Sequence, residues 1–271
     1  MVSISRRVEA ARRAFERGDV QSAAALHHPD HVVASMRRET PGGRRLGPYI
    51  GSMVYGGLDG IVTTFAVVSG VEGGDLGAHV ILILGVGNLL ADGFSMATGD
   101  YLSTKSVREY YDREARRQAW EIDRFPDGQT AELRALYVQH GYSDRDAEQM
   151  VAVQTREKSR WVNAMMIEEL GMLREDANPV YNAIATFVAF LVAGALPLVV
   201  YLIGLVRPIA PDAAFRVSML LSALALFGLG AAKVFVTRLN PLRSGLEMLV
   251  VGGFAAAVAY VIGALLKNVT A

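Results

Sequence analysis

Residues 49–70 read YIGSMVYGGLDGIVTTFAVVSG and residues 78–98 read AHVILILGVGNLLADGFSMAT, two apolar stretches that each contain an aspartate. Both stretches are long enough to cross a bilayer as a helix. A carboxylate at the bilayer centre costs about 2.5–3.5 kcal/mol on insertion scales, so Asp59 and Asp92 indicate a functional site. The alternative is that these side chains hydrogen-bond neighbouring helices and have only a structural role.

Three later segments are also apolar and long enough to span a membrane, at residues 181–205, 213–236 and 245–266. The chain of 271 residues is 52% hydrophobic and 20% charged, which is typical of a protein that lies partly in lipid and partly in water. We therefore expect an all-α membrane protein with five transmembrane helices per protomer. The zero net charge does not favour nucleic-acid binding, and the lack of cysteine excludes thiolate metal sites.

The polarity of the sequence predicts four parts. They are an N-terminal arm (1–46), spans one and two (47–98), a charged helical module (99–177) and spans three to five (178–271). In the module we expect three helices, at residues 99–124, 129–140 and 144–173. The first should continue span two without a break, because neither glycine nor proline occurs between Gly99 and Pro126.

The arginines of the short connecting segments predict the orientation. The N-terminal arm is rich in arginine, and the turn between spans four and five contains Arg238 and Arg243, so both should be cytoplasmic. The loop between spans one and two contains Glu72 and Asp75 and should lie on the opposite side. With five spans, the N-terminus and the helical module are then cytoplasmic. A composition rich in Ala, Gly and Arg favours a bacterial plasma membrane.

Span two contains a polar stripe on one helical face. Asn88, Asp92, Met96 and Asp100 follow one another at intervals of four. A carboxylate with a thioether suits Fe²⁺ or another borderline transition metal better than Ca²⁺ or Mg²⁺, which prefer oxygen ligands only. For Met96 alone, packing in the core is the favoured alternative. In span one, Thr63 shares a face with Asp59.

The helical module contains carboxylates and a thioether at helical spacing. The candidate metal ligands are Glu114, Gln118, Glu121, Glu132, Met165, Glu168 and Glu169. Helical bundles build metal sites from carboxylates on several facing helices. For any single glutamate, a solvent-exposed charged face balanced by nearby arginines is the more common explanation.

Other motifs contribute less. His27, His28 and His31 form an HHxxH cluster in the N-terminal arm, but it lacks the glutamate of a zinc protease motif and includes Pro29, so we favour no metal site there. The sequence contains no Walker loop or dinucleotide fingerprint. Transport, if it occurs, should therefore depend on an ion gradient.

Three motifs make the chain resemble the vacuolar iron transporter family, the group that includes the yeast calcium-cross-complementer-like proteins. They are YGGLDGIVTTFAVVSGVEG (55–73), NLLADGFSMATGDYLSTKS (88–106) and NPLRSGLEMLVVGGFAAAVAYVIG (240–263). The likeness covers about residues 49–266. It implies a homodimer that exchanges Fe²⁺ for protons and moves iron out of the cytosol.

The resemblance also assigns residues. It implies a path at the dimer axis lined by Asp59 and Met96. It implies a cytoplasmic module that gathers metal through four matching residues: Glu121, Glu132, Met165 and Glu169. Gln118 and Gln129 stand where the family pattern has glutamate. A neutral amide oxygen binds a cation less tightly than a carboxylate, so we expect a weaker site here.

We therefore predict a proton-coupled exporter of Fe²⁺, with Mn²⁺ as a second candidate, in which metal passes from the module to Asp59, Thr63, Asp92 and Met96. It would be a homodimer in the bilayer, with no permanent cofactor and no nucleic-acid partner. One alternative is a membrane-anchored metal-binding or sensing protein without transport. An enzyme is not expected, because a diiron site needs Glu-x-x-His pairs and the module contains only His140.

Overall fold

The computed structural model describes residues 10–11, 13–15, 17–28, 49–175, 177–232 and 240–267. Within these residues the regular structure is α-helix with short 3-10 turns, and no strand occurs in this part of the chain. Five helices or helix pairs are long and apolar enough to cross a membrane. The prediction of an all-α membrane protein with five spans is confirmed. Arg238, which the orientation prediction uses, lies outside the described residues.

We number the helices in chain order. They are α1 (Val20–Leu26), α2 (Ile50–Gly73), α3 (Ala78–Arg124), α4 (Pro126–Gln139), α5 (Asp144–Gln154), α6 (Lys158–Glu168), α7 (Pro179–Gly194), α8 (Val199–Gly204), α9 (Pro211–Ala232) and α10 (Pro241–Lys267). The third span is formed by α7 and α8 with the 3-10 turn Leu196–Leu198 between them. Pro197 lies in that turn, where its missing N–H would interrupt a regular helix.

Contacts between Cα atoms divide the chain into two compact units. The membrane unit contains Met1–Tyr101 and Val180–Ala271, and the helical unit contains Leu102–Pro179. Helix α3 contributes to both units and continues without a break from Ala78 to Arg124, as the absence of glycine and proline after Gly99 predicts.

In the membrane unit, α2 packs closely against α7 because glycine allows the two backbones to approach. A Cβ atom at Gly60 would lie 2.4 Å from the carbonyl oxygen of Phe190, and one at Gly56 would lie 2.7 Å from that of Thr186. Small residues allow this approach at helix contacts within membranes. The apolar core beside this contact includes Val68, Ile81 and Leu198 at its centre, together with Phe190.

The helical unit has its own core, formed by apolar side chains of α3, α4, α5 and α6. Leu133, Tyr137 and Met165 are almost completely inaccessible to solvent and pack with Val151 and Trp161. Pro126 occupies the first turn of α4, where a missing N–H carries no cost. The helix ends before Gly141, whose positive φ of 94° favours glycine.

The prediction of three helices in the helical unit is wrong in one respect. Residues 144–173 form two helices, α5 and α6, and not one. Helix α5 ends where the Thr155 hydroxyl donates to the carbonyl oxygen of Val151 (3.0 Å), and Glu157 then adopts an extended conformation before α6 begins. A threonine hydroxyl that bonds the preceding turn competes with the regular helical pattern.

Candidate functional site

The two acidic residues predicted at membrane depth lie on two helices of the membrane unit. Asp59 on α2 is near enough to Asp92 on α3 for the two carboxylates to interact electrostatically. Asp92 also accepts a hydrogen bond from the Asn88 Nδ2 atom (2.6 Å), one helical turn earlier. All three side chains are half-buried. The membrane unit therefore brings two carboxylates and an amide into one polar group.

Thr63 and Met96 have partners of a different kind. The Thr63 hydroxyl donates to the backbone oxygen of Asp59, so it bonds to its own helix and not to the Asp59 carboxylate. Met96 is half-buried and packs against the apolar core of the membrane unit. Its position one turn after Asp92 keeps it on the same face of α3.

Asp100, the last member of the stripe, is bound to the third span. Its carboxylate accepts a hydrogen bond from the Asn182 Nδ2 atom (2.8 Å) and another from the Thr186 hydroxyl. Ser52 on α2 donates to the Asn182 Oδ1 atom at 2.9 Å, so the group joins three spans. Sequence reasoning did not assign Asn182, Thr186 or Ser52. The available signal was the spacing of Asn182 and Thr186, four residues apart in an apolar helix.

In the helical unit, three carboxylates surround the guanidinium of Arg117. The Nε atom lies 2.8 Å from Glu114 Oε2, Nη1 lies 2.7 Å from Glu121 Oε2, and Nη2 lies 3.6 Å from Glu169 Oε1. Hydrogen bonds to Glu114 and Glu121 raise the pKa of Arg117 above its ordinary value, so the guanidinium remains charged. Sequence reasoning placed this arginine only among the charges that balance a solvent-exposed face.

Two glutamines complete this group of side chains. The Gln118 amide nitrogen donates to Glu169, and the Gln129 amide nitrogen donates to Glu132 Oε2 at 3.1 Å. Gln118 is 0% exposed and Gln129 is 8% exposed. The Oε1 atoms of both glutamines are buried and have no hydrogen-bond partner among the described residues. Buried polar atoms are usually satisfied, so two unpaired oxygens beside carboxylates fit a cation ligand.

Glu132 lies in the same electrostatic environment. Burial raises the pKa of its carboxyl group, and repulsion from Glu169 and Glu121 raises it further. Glu121 and Glu169 thus both act electrostatically on Glu132. Met165 is completely buried in the apolar core, one turn before Glu169.

Some predicted ligands do not join this group. Glu168 pairs with His140, whose Nδ1 atom lies 3.0 Å from Glu168 Oε2. Within the described part of the chain, no three histidine or acidic side chains are arranged as a metal site. Here the carboxylates are instead held by Arg117. His27 bonds the carbonyl oxygen of Ala23 at 2.8 Å, and His31 lies outside the described residues.

Comparison with known proteins gives a consistent result. A family model described as the VIT family matches residues 50–264. A vacuolar iron transporter from Toxoplasma gondii is 35% identical over 272 residues, covering 96% of this chain and 88% of the relative. One from Plasmodium falciparum is 33% identical and covers 80% and 82% of the two chains. Vacuolar iron transporter 1 from Arabidopsis thaliana is 29% identical and covers 82% and 88%.

These three relatives come from eukaryotes and are vacuolar by name. They give no support to the expectation of a bacterial plasma membrane. The membrane itself is supported by the five apolar helices and by the family.

Proposed function

The chain belongs to the VIT family, and on that basis we propose that it moves Fe²⁺ across a membrane in exchange for protons. The observation that carries this proposal is the match to iron transporters over nearly the whole chain. The electrostatic interaction of Asp59 with Asp92, both on helices long and apolar enough to cross a membrane, supports it independently. An intramembrane carboxylate is a typical element of an ion or proton pathway.

The chemistry of the Asp59–Asp92 pair supports coupling to protons. Two neighbouring carboxylates repel each other, and either a proton or a divalent cation relieves that repulsion. The two ligands therefore compete for the same oxygens, so binding of one promotes release of the other. In this mechanism Fe²⁺ is the substrate, with Mn²⁺ as a second candidate. Met96 would contribute a thioether beside the carboxylates, and Thr63 would contribute oxygen.

The helical unit would capture the metal before translocation. Its candidate ligands are the carboxylates of Glu121, Glu132 and Glu169, with the amide oxygens of Gln118 and Gln129. The unpaired, buried oxygens of the two glutamines support this role. We further propose that this unit and the N-terminus are cytoplasmic and that two protomers form the path between them, as the resemblance implies.

The experiment that tests the proposal is Fe²⁺ uptake into proteoliposomes under an imposed pH gradient, for the natural chain and for Asp59→Asn. The substitution removes the charge at nearly constant volume. We expect gradient-dependent uptake by the natural chain and little by the variant. Glu148→Gln, which removes an exposed carboxylate from α5, is the matched control and should retain uptake.

Two results would contradict the proposal. Uptake that does not respond to the pH gradient would exclude proton exchange. Binding of Fe²⁺ with no movement, and with no effect of Asp59→Asn, would leave a membrane-anchored metal-binding protein as the better description.

A further inference from the structure

We infer that Arg117 is an internal cation that competes with metal for the carboxylates of the helical unit. This inference rests on the proposed role of the unit in metal capture. It assigns to one arginine the control of how tightly that metal is held.

The first step is the geometry around the guanidinium. Glu121 places both carboxylate oxygens within 2.8 Å of the Nη1 atom, and Glu114 reaches the Nε atom at 2.8 Å. Glu114 and Glu121 lie one turn before and one turn after Arg117 on α3, whereas Glu169 comes from the end of α6. Charge-assisted bonds of this type occupy the oxygen lone pairs that a metal would need.

The second step is what Arg117 leaves unsatisfied. Gln118 donates to Glu169, which also pairs with Arg117, and Gln129 donates to Glu132, which repels Glu169 and Glu121. Their Oε1 atoms are buried and unpaired within the described residues. Amide oxygens are ligands for a metal ion. The guanidinium satisfies the carboxylates but not these oxygens, whereas a small cation among them could satisfy both.

The third step concerns charge and access. A cation that approaches Glu114, Glu121 and Glu169 meets three negative charges, of which Arg117 neutralises one. The Arg117 side chain is 37% exposed, so it can leave towards water without crossing the core. The neutral amides of Gln118 and Gln129 lower the attraction further. Metal binding at this site therefore requires displacement of Arg117, and return of Arg117 promotes metal release.

The test is an anaerobic titration of the full chain in detergent with Fe²⁺ as the probe. All variants carry Asp59→Asn, so that the Asp59–Asp92 pair contributes less to the measured Fe²⁺ binding. We expect Arg117→Ala to bind Fe²⁺ about tenfold more tightly, because each exposed ion pair contributes little and three together correspond to roughly one power of ten. Arg117→Met retains the apolar part of the side chain and should behave in the same way if alanine impairs folding.

The matched control is Arg116→Ala, which removes the same charge from an exposed neighbour on α3. It should change the affinity by less than twofold or so, since charges in water are screened. Arg117→Lys retains the charge but loses the forked geometry, and should give an intermediate affinity.

Three results would overturn the inference. The first is unchanged or weaker Fe²⁺ binding by Arg117→Ala, and the second is an equal gain in Fe²⁺ affinity for Arg116→Ala. The third is that Glu132→Ala abolishes none of the Fe²⁺ binding. These failures are distinct from failure of the proposed function. Transport that persists while Arg117→Ala has no effect on affinity refutes only the inference. Tighter binding by Arg117→Ala without transport in the natural chain refutes only the proton-coupled transporter.

Discussion

Replacing Thr186 with valine should destabilise the membrane unit by removing one donor from Asp100. The Thr186 side chain is 1% exposed, and its hydroxyl bonds the Asp100 carboxylate. Valine keeps the methyl group that faces Gly56 and replaces the hydroxyl with a second methyl group, which cannot donate. Asp100 would then retain the Asn182 donor at 2.8 Å as its described side-chain partner.

The size of the effect follows from two limits. A hydrogen bond to a charged group contributes about 1.5–3 kcal/mol in water-soluble proteins. Hydrogen bonds between membrane helices average about 0.6 kcal/mol and reach about 1.7. Since Asp100 is half-buried and keeps one donor, we expect a loss of about 1–2 kcal/mol.

The assay is equilibrium unfolding of the full chain as dodecylmaltoside is replaced with SDS, applied as a double-mutant cycle. Thr186→Val, Asp100→Ala and the double variant are compared with the natural chain. If the hydrogen bond has the proposed strength, the two single losses should exceed the double loss by at least 1 kcal/mol or so. Losses that add to within about 0.5 kcal/mol would show that the two groups are not coupled and would refute the reasoning.

Three further outcomes are expected. Gly60→Ala should lower the stability by about 1–3 kcal/mol, since a Cβ atom there meets the Phe190 carbonyl oxygen. Gly51→Ala, at a position with open space around it, should be neutral or stabilising, and detergent unfolding of both variants checks the difference. Leu133→Ala should cost about 2–5 kcal/mol, because this side chain is completely buried in the core of the helical unit. Unfolding monitored by the fluorescence of Trp120 and Trp161, which both lie in this unit, would show it, and a change below about 1 kcal/mol would contradict the described packing. Lys267 lowers the pKa of Asp75 through a hydrogen-bonded ion pair of 2.7 Å. The pair therefore stabilises the fold at pH values above 3.8, the ordinary aspartate pKa, and this stabilisation is lost as the pH falls through the lower pKa of the folded state. Lys267→Ala should thus lower the stability slightly near pH 7 and not in strongly acidic buffer, as melting curves across pH would measure.

The spans were predictable because their signal is local. A run of about twenty apolar residues predicts a span without knowledge of any neighbour, and all five predicted segments overlap a candidate span in the structure. The division of residues 144–173 was not predictable in this way. Thr155, Arg156 and Glu157 include neither glycine nor proline, so the break gives no signal of the usual kind.

In the candidate site, the helix face of each residue was predictable from the sequence, whereas its interaction partners were not. Helical periodicity placed Asn88, Asp92, Met96 and Asp100 on one stripe, but it could not predict that Asp100 would bond to α7. Likewise, the glutamates of the helical unit were identified by composition and spacing. That Arg117 would form ion pairs with three of them depends on the approach of Glu169, at the end of α6, to α3, which the sequence does not encode locally.

The weak binding expected of the helical unit is compatible with transport. A capture site can pass on its metal only if release is fast, and under the proposed function a site made of fewer charges and opposed by Arg117 would release metal readily. In the membrane unit, by contrast, a charged group that acts on Asp59 is a second carboxylate, Asp92, which attracts a cation. A cation, Arg117, thus lies beside Glu114 and Glu121, whereas an anion acts on Asp59. A prediction follows for the comparison of Asp92→Asn with the natural chain. The substitution should reduce gradient-dependent Fe²⁺ uptake, while the Fe²⁺ affinity of the helical unit, measured by the titration above, stays the same. Equal loss of both would show that the two sites are not separate steps of one path.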